Sequence, residues 1–161
     1  MRDHSRDEAP WYHTWVEGDV VGCAREYEFV THTADVAVVV RGADVPRLLC
    51  NAAAALYALT LGERSIGTDL CRRLVVDSAS PDTLVVDWLN ELLYHLCAER
   101  LAFSLFEFDE MSGSRVVARC RGMRLDAGAM RLHREVKAAT YHMATLVCGD
   151  AGYTTRIVFD V

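Results

Sequence analysis

The run Val36-Ala37-Val38-Val39-Val40 constrains the fold more than any other stretch of the chain. β-Branched side chains lose rotamer freedom in a helix and sit well on a pleated surface, so this run is read as a strand. Successive strand residues point to opposite faces, and here both alternations are apolar. Such a strand has to be covered on both sides. A layered architecture built around it is therefore expected.

The flanking pattern supplies the layers. Tyr27 to Val30 reads as a short strand preceding the run. After it, Gly42-Ala43-Asp44 turns the chain into a helix that Asp44 can cap and whose first turn tolerates Pro46. Val45, Leu48, Leu49, Ala52, Leu56 and Leu59 recur at helical spacing until Gly62 ends the helix. Ala52 to Ala55 keeps one surface slim enough for close approach to a sheet. Leu70 to Asp77 alternates as a strand does. Ser80-Pro81-Asp82 starts a second helix, with Ser80 as its cap, running to about Arg100. Leu84, Val85, Trp88, Leu89, Leu92, Leu93 and Leu96 form its broad apolar face.

Strands dominate the second half. Ala102 to Phe108 and Arg115 to Arg121 are joined by a turn at Ser112-Gly113, with Phe103 and Leu105 facing away from Phe106 and Phe108. Gly122 to Arg134 is loop-rich. Glu135 to His142 reads as extended, Met143 to Cys148 continues as strand, and Gly149-Asp150-Ala151-Gly152 forms a hairpin into a last strand ending at Asp160-Val161. With strands mostly adjacent in sequence, the fold class is α+β: a mixed or antiparallel sheet with two main helices packed on it. Residues 1–26 lack sustained periodicity and are read as a disordered extension. Residues 27–161 form the domain.

Composition narrows the function. At 161 residues with 52% hydrophobic and 25% charged residues, the chain suits one soluble domain. A formal net charge of −6 does not mark the whole surface as a nucleic-acid footprint. The arginines from Arg115 to Arg134 are read as edge and loop charges, so RNA contact is expected to be indirect or weak. No apolar run approaches the roughly 20 residues of a membrane span, and no signal peptide opens the chain. The six cysteines form no Cys-x-x-Cys pair and sit largely among apolar neighbours. They are read as reduced thiols of a cytoplasmic protein rather than a zinc site. Phosphate-binding glycine loops and a Gly-x-Ser-x-Gly elbow are both missing from the sequence.

Polar residues gather instead at strand ends: His32, Asp35, Glu135, Lys137, His142 and Asp160. Lys137 is the only lysine among 17 Lys and Arg residues. An ammonium is a compact point charge with three rotatable donors, where a guanidinium is a planar fork. Asp35 and Asp160, with the carboxylate at Val161, form an oxygen donor set that suits hard cations. Read singly, Asp35 is also an ordinary turn residue and Asp160 an ordinary terminal charge. On the second helix Asp87, Glu91 and His95 fall four apart on one stripe, either a cation site or a solvated flank.

Four stretches resemble the archease family: His32-Thr33-Ala34-Asp35, Val86-Asp87-Trp88-Leu89-Asn90-Glu91-Leu92-Leu93-Tyr94, Glu135-Val136-Lys137-Ala138-Ala139-Thr140-Tyr141-His142, and Val158-Phe159-Asp160-Val161. They occur in the family's order and spacing over about Tyr27 to Val161. The resemblance implies a non-enzymatic accessory factor of the tRNA-splicing RNA ligase, which joins RNA ends using GTP and a divalent metal. It implies help with guanylylation and multiple turnover, with no catalytic residue of the chain's own. The family's metal-site aspartates correspond to Asp35 and Asp160, with a main-chain oxygen from Val161, and Ca2+ is the expected ion ahead of Mg2+ or Mn2+. Its important lysine corresponds to Lys137. Functional weight extends further to His32, Asp87, Glu91 and His142.

Two other readings use the same residues. In one, the acidic cluster, with Glu91 as base, serves an autonomous divalent-metal-dependent phosphoester hydrolase. In the other, the chain is a binding module without metal. The oligomeric state is not written in the sequence.

Overall fold

A computed structural model describes residues 20–31, 34–128 and 132–161. Its elements run β1 (Val20–Gly22), β2 (Tyr27–Thr31), β3 (Val36–Gly42), α1 (Val45–Leu61), β4 (Leu70–Asp77), α2 (Pro81–Glu99), β5 (Leu101–Met111), β6 (Arg115–Arg124), β7 (Ala138–Thr140), β8 (Leu146–Gly149) and β9 (Gly152–Asp160). The strands form two sheets rather than one. The first has the order β1-β5-β6-β4; the second has β2-β3-β9-β7, with β8 also pairing β9. Every ladder is antiparallel. The chain is thus a single α+β domain, its sheets antiparallel rather than mixed.

Both helices touch both sheets: α1 packs on β3 and on β5, and α2 on β7 and on β4 and β5. They form a middle layer, which is why α1 is buried nearly all round. The alanines Ala52, Ala53 and Ala55, all fully buried, let the layers approach closely. Trp88 joins the layers: its indole N–H donates to Leu49 O at 3.0 Å, and its ring meets Phe106 edge-on at a centroid distance of 5.4 Å. Truncating so large a buried aromatic would cost about 3–5 kcal/mol.

β3 lies between β2 and β9, with Val36, Ala37, Val38 and Val40 buried. Val39 is only half-buried, so one face of the run is less completely covered than the sequence suggests. Asp44 caps α1 by accepting from the Arg47 N–H at 2.8 Å, and Gly62 ends the helix with φ 69°. Ser80 occupies the cap position of α2 without a side-chain cap bond; its hydroxyl lies 3.2 Å from Thr83 Oγ1 instead.

Three local expectations change. Phe103, Phe106 and Phe108 are all buried, because the β5–β6 register shifts between Phe103 and Leu105. One extra residue in a strand reverses the alternation beyond it, so Phe103 and Phe106 face the same core. Met143 and Ala144 are not strand: Ala144 N–H donates to Tyr141 O, and Met143 adopts φ 56° in that turn. Finally, β1 lies within the stretch assigned to the extension. It pairs with β5 through Val20–Glu107, Val21–Phe106 and Gly22–Leu105, and Val21 is buried.

Candidate functional site

β9 brings the first and last motifs together. Its ladder with β3 ends at Val36–Phe159, so one further step outward on both strands places Asp35 and Asp160 at the same end of the sheet. On its other side β9 pairs Ala138 with Asp160, and the Lys137 N–H donates to Asp160 O at 2.8 Å. Asp35, Lys137, Asp160 and Val161 therefore share one sheet end, delivered by three neighbouring strands. Asp35, Lys137 and Asp160 are exposed and Val161 is half-buried against the core. Among the described residues, no side-chain ion pair or hydrogen bond joins Lys137, Asp35 and Asp160. His32 lies outside the described residues.

α2 runs alongside the Lys137 segment. Cys97 senses Glu135, whose charge adds to burial in pushing the thiol up. Asn90 bonds both main-chain groups of Ala139, at 3.0 and 2.8 Å. Asp87 accepts from the Tyr141 hydroxyl, and Asp82 accepts from Leu146 N–H at 2.8 Å. Lys137 thus lies between the levels of Asn90 and Cys97. The bond to Asp87, then partial burial, raises the Tyr141 phenol above its ordinary range.

The stripe of Asp87, Glu91 and His95 divides. Asp87 is engaged with Tyr141. Glu91 lies 3.2 Å from His95 Nε2, while His95 Nδ1 lies 2.9 Å from Glu99. His95 is largely buried, its ring edge-on to Phe103 at 6.2 Å. Each member of the stripe thus has a polar partner within the fold. His142 is exposed in the turn after β7. Sequence reasoning assigned no role to Tyr141 or Asn90, although an amide between Leu89 and Leu92 on a largely apolar helix hinted that it bonds the neighbouring backbone.

The donor set at the sheet end is all oxygen: two carboxylates and the main chain of Val161. That chemistry fits a hard divalent cation. Among the described residues, however, no group of three or more His, Cys, Asp or Glu side chains is placed to hold a metal ion. A cation bound at this sheet end would need further ligands from water or from another molecule.

Residues 27–161 match the Archease protein family (MTH1598/TM1083). The chain belongs to the archease family. It is 33% identical over 140 residues to protein archease of Archaeoglobus fulgidus, covering 84% of this chain and 99% of that one. It is 27% identical over 141 residues to protein archease of Methanosarcina barkeri, covering 85% and 97%. The fold resembles the solution structure of Methanobacterium thermoautotrophicum protein 1598, with a TM-score of 0.70, 27% identity and coverage of 86% and 100%. It also resembles the crystal structure of a Thermotoga maritima archease described as a possible chaperone, at a TM-score of 0.56, 20% identity and coverage of 82% and 94%. The family match spans all four motifs and begins at Tyr27, so residues 1–26 stand outside it. Among the described residues no helix is long and apolar enough to cross a membrane.

Proposed function

We propose that this archease-family protein is an accessory factor that lends its sheet-end cluster to an RNA ligase and promotes guanylylation and turnover. The observation that carries the reading is the shared sheet end itself: Asp35, Asp160 and Lys137 exposed on adjacent strands, with no side-chain bonds among them. A cluster exposed at one end of a sheet is open to completion by a second molecule. This one leaves two anions and an ammonium facing outward, as suits a surface completed by a partner. Asp35 and Asp160 would hold a divalent cation, with Ca2+ preferred and Mg2+ or Mn2+ as alternatives. Such an ion neutralises phosphate charge and orients phosphate oxygens. Lys137, unattached to the carboxylates, would add a cation toward the same phosphates. A cytoplasmic setting, direct engagement of the ligase and little RNA contact of its own complete the proposal.

The test is multiple-turnover ligation with the RNA ligase of the same organism. Substoichiometric wild-type protein should raise turnover, and Asp160→Ala or Lys137→Ala should lower the stimulation at least about tenfold, the scale of one charge-assisted contact. Full stimulation by both variants would remove the site from the mechanism. Phosphoesterase activity in the protein alone, lost in Asp35→Ala, would establish the hydrolase reading instead.

A further inference from the structure

Three side chains of α2 hold the segment that follows Lys137: Asp82 on Leu146 N–H, Asp87 on the Tyr141 hydroxyl, and Asn90 on Ala139. The last differs in kind. Asn90 Nδ2 donates to Ala139 O at 3.0 Å, and Asn90 Oδ1 accepts from Ala139 N–H at 2.8 Å. A strand residue turns its N–H and C=O to the same side, so these two groups do not face β9. A primary amide offers the same donor and acceptor as a peptide group. Asn90 therefore occupies the place of a neighbouring strand on the outer side of β7, which is only three residues long.

The helix that carries Asn90 is fixed by the core. Trp88, Leu89, Leu92 and Leu96 on the same turns are buried, so the amide is delivered from a rigid base. Two residues before Ala139 stands Lys137, whose N–H donates to Asp160 O at 2.8 Å. A slip of β7 by one residue would turn Lys137 to the other face of the sheet. We propose that Asn90 is the positioning residue for Lys137: it locks the register of β7 and so fixes the lysine beside Asp160. The inference rests on the reading of Lys137 and Asp160 as the functional pair. It adds that their geometry is set from the helix layer rather than by contact between them.

The experiment uses the full chain and exploits Lys137 being its only lysine. Reductive methylation with 13C gives one lysine signal, read beside the exchange rates of the Lys137 and Ala139 amides. A core variant, Leu74→Ala in the other sheet, serves as a control for lost stability. Asn90→Ala should speed exchange at both amides about tenfold or more beyond the control and shift the Lys137 signal, as loss of two backbone bonds requires.

Asn90→Asp supplies a test that packing alone would not move. The ionised carboxylate accepts from the Ala139 N–H but repels its C=O. The protonated acid again presents one acceptor and one donor. Protection of Ala139, corrected for intrinsic exchange, should therefore fall at pH 8 and recover toward wild type near the ordinary carboxylate range of about pH 4. If Asn90→Ala does not fold, this recovery decides the matter alone. Unchanged Lys137 and Ala139 signals in Asn90→Ala, or no recovery in Asn90→Asp, would overturn the proposal. The ligation assay separates the two ideas. Lys137 freed in Asn90→Ala while wild type fails to stimulate the ligase upholds the positioning and removes the accessory function. A stimulating wild type with Lys137 unmoved in the variant removes the positioning alone.

Discussion

His95 faces two carboxylates of its own helix, Glu91 at 3.2 Å and Glu99 at 2.9 Å. Its hydrogen bond is the main cause holding the Glu99 carboxyl below its ordinary range. A carboxyl depressed in the folded state contributes stability above its unfolded value, near pH 4.3, and loses that contribution as pH falls further. Replacing His95 with Ala should therefore move the Glu99 titration, followed by carboxyl NMR, upward toward the ordinary range. An unmoved titration would show that the pair does not hold in solution. At this scale the sequence revealed the i, i+4 stripe but not its division. Spacing shows that Asp87, Glu91 and His95 share a face; it does not show that Tyr141, distant in sequence, claims Asp87. The same limit applied to Asp35 and Asp160, whose likeness to metal ligands came from motif resemblance and whose proximity came only from the β3–β9 register.

The elements themselves were largely legible, because each carries its own signal: helical spacing in α1 and α2, caps at Asp44 and Gly62, alternation in β4 and β9. Misreadings arose where one residue changes the count. The β5–β6 register shift defeats strict alternation at Phe103 and Phe106, since bulges leave no mark in hydrophobic period. Met143, an L-residue at φ 56°, interrupts what reads as continuous strand. Gly122 shows how closely these elements approach. A Cβ there would lie 1.9 Å from Ala102 O, and Gly122 pairs with Phe103 beside the shift. Gly122→Ala should thus destabilise the protein by about 3 kcal/mol, at or beyond the upper end of ordinary overpacking costs. Chemical denaturation measures it, and a loss under about 1 kcal/mol would mean that β5 and β6 part more easily than their pairing implies.

For the molecule as a whole, the α+β class followed from the order of elements, but the arrangement of layers did not. Nothing in the local pattern tells which of several antiparallel strands join which sheet, and the helices prove to lie between two sheets rather than on one. The burial this creates reaches Tyr57 and Tyr153. Burial pushes the Tyr57 phenol far up and that of Tyr153 to about 12. Unfolded tyrosine ionises near pH 10, so above that pH the unfolded state binds fewer protons and gains on the folded one. Stability should be unaffected by these groups below pH 10 and decline from there through pH 12, with the two phenols ionising only as the protein unfolds. Absorbance of tyrosinate against circular dichroism would reveal the coincidence; early ionisation of every tyrosine would contradict it. The β3–β9 ladder has a consequence for how the protein is made. Asp35 is synthesised well before its counterpart Asp160, which lies at the end of β9, after every other described element. Until that strand arrives, β3 has one open edge and the two aspartates stand apart. Chain closure over so long a separation is slow compared with helix formation. A chain interrupted before β9 can therefore carry both helices and most of the described strands while its two aspartates remain apart.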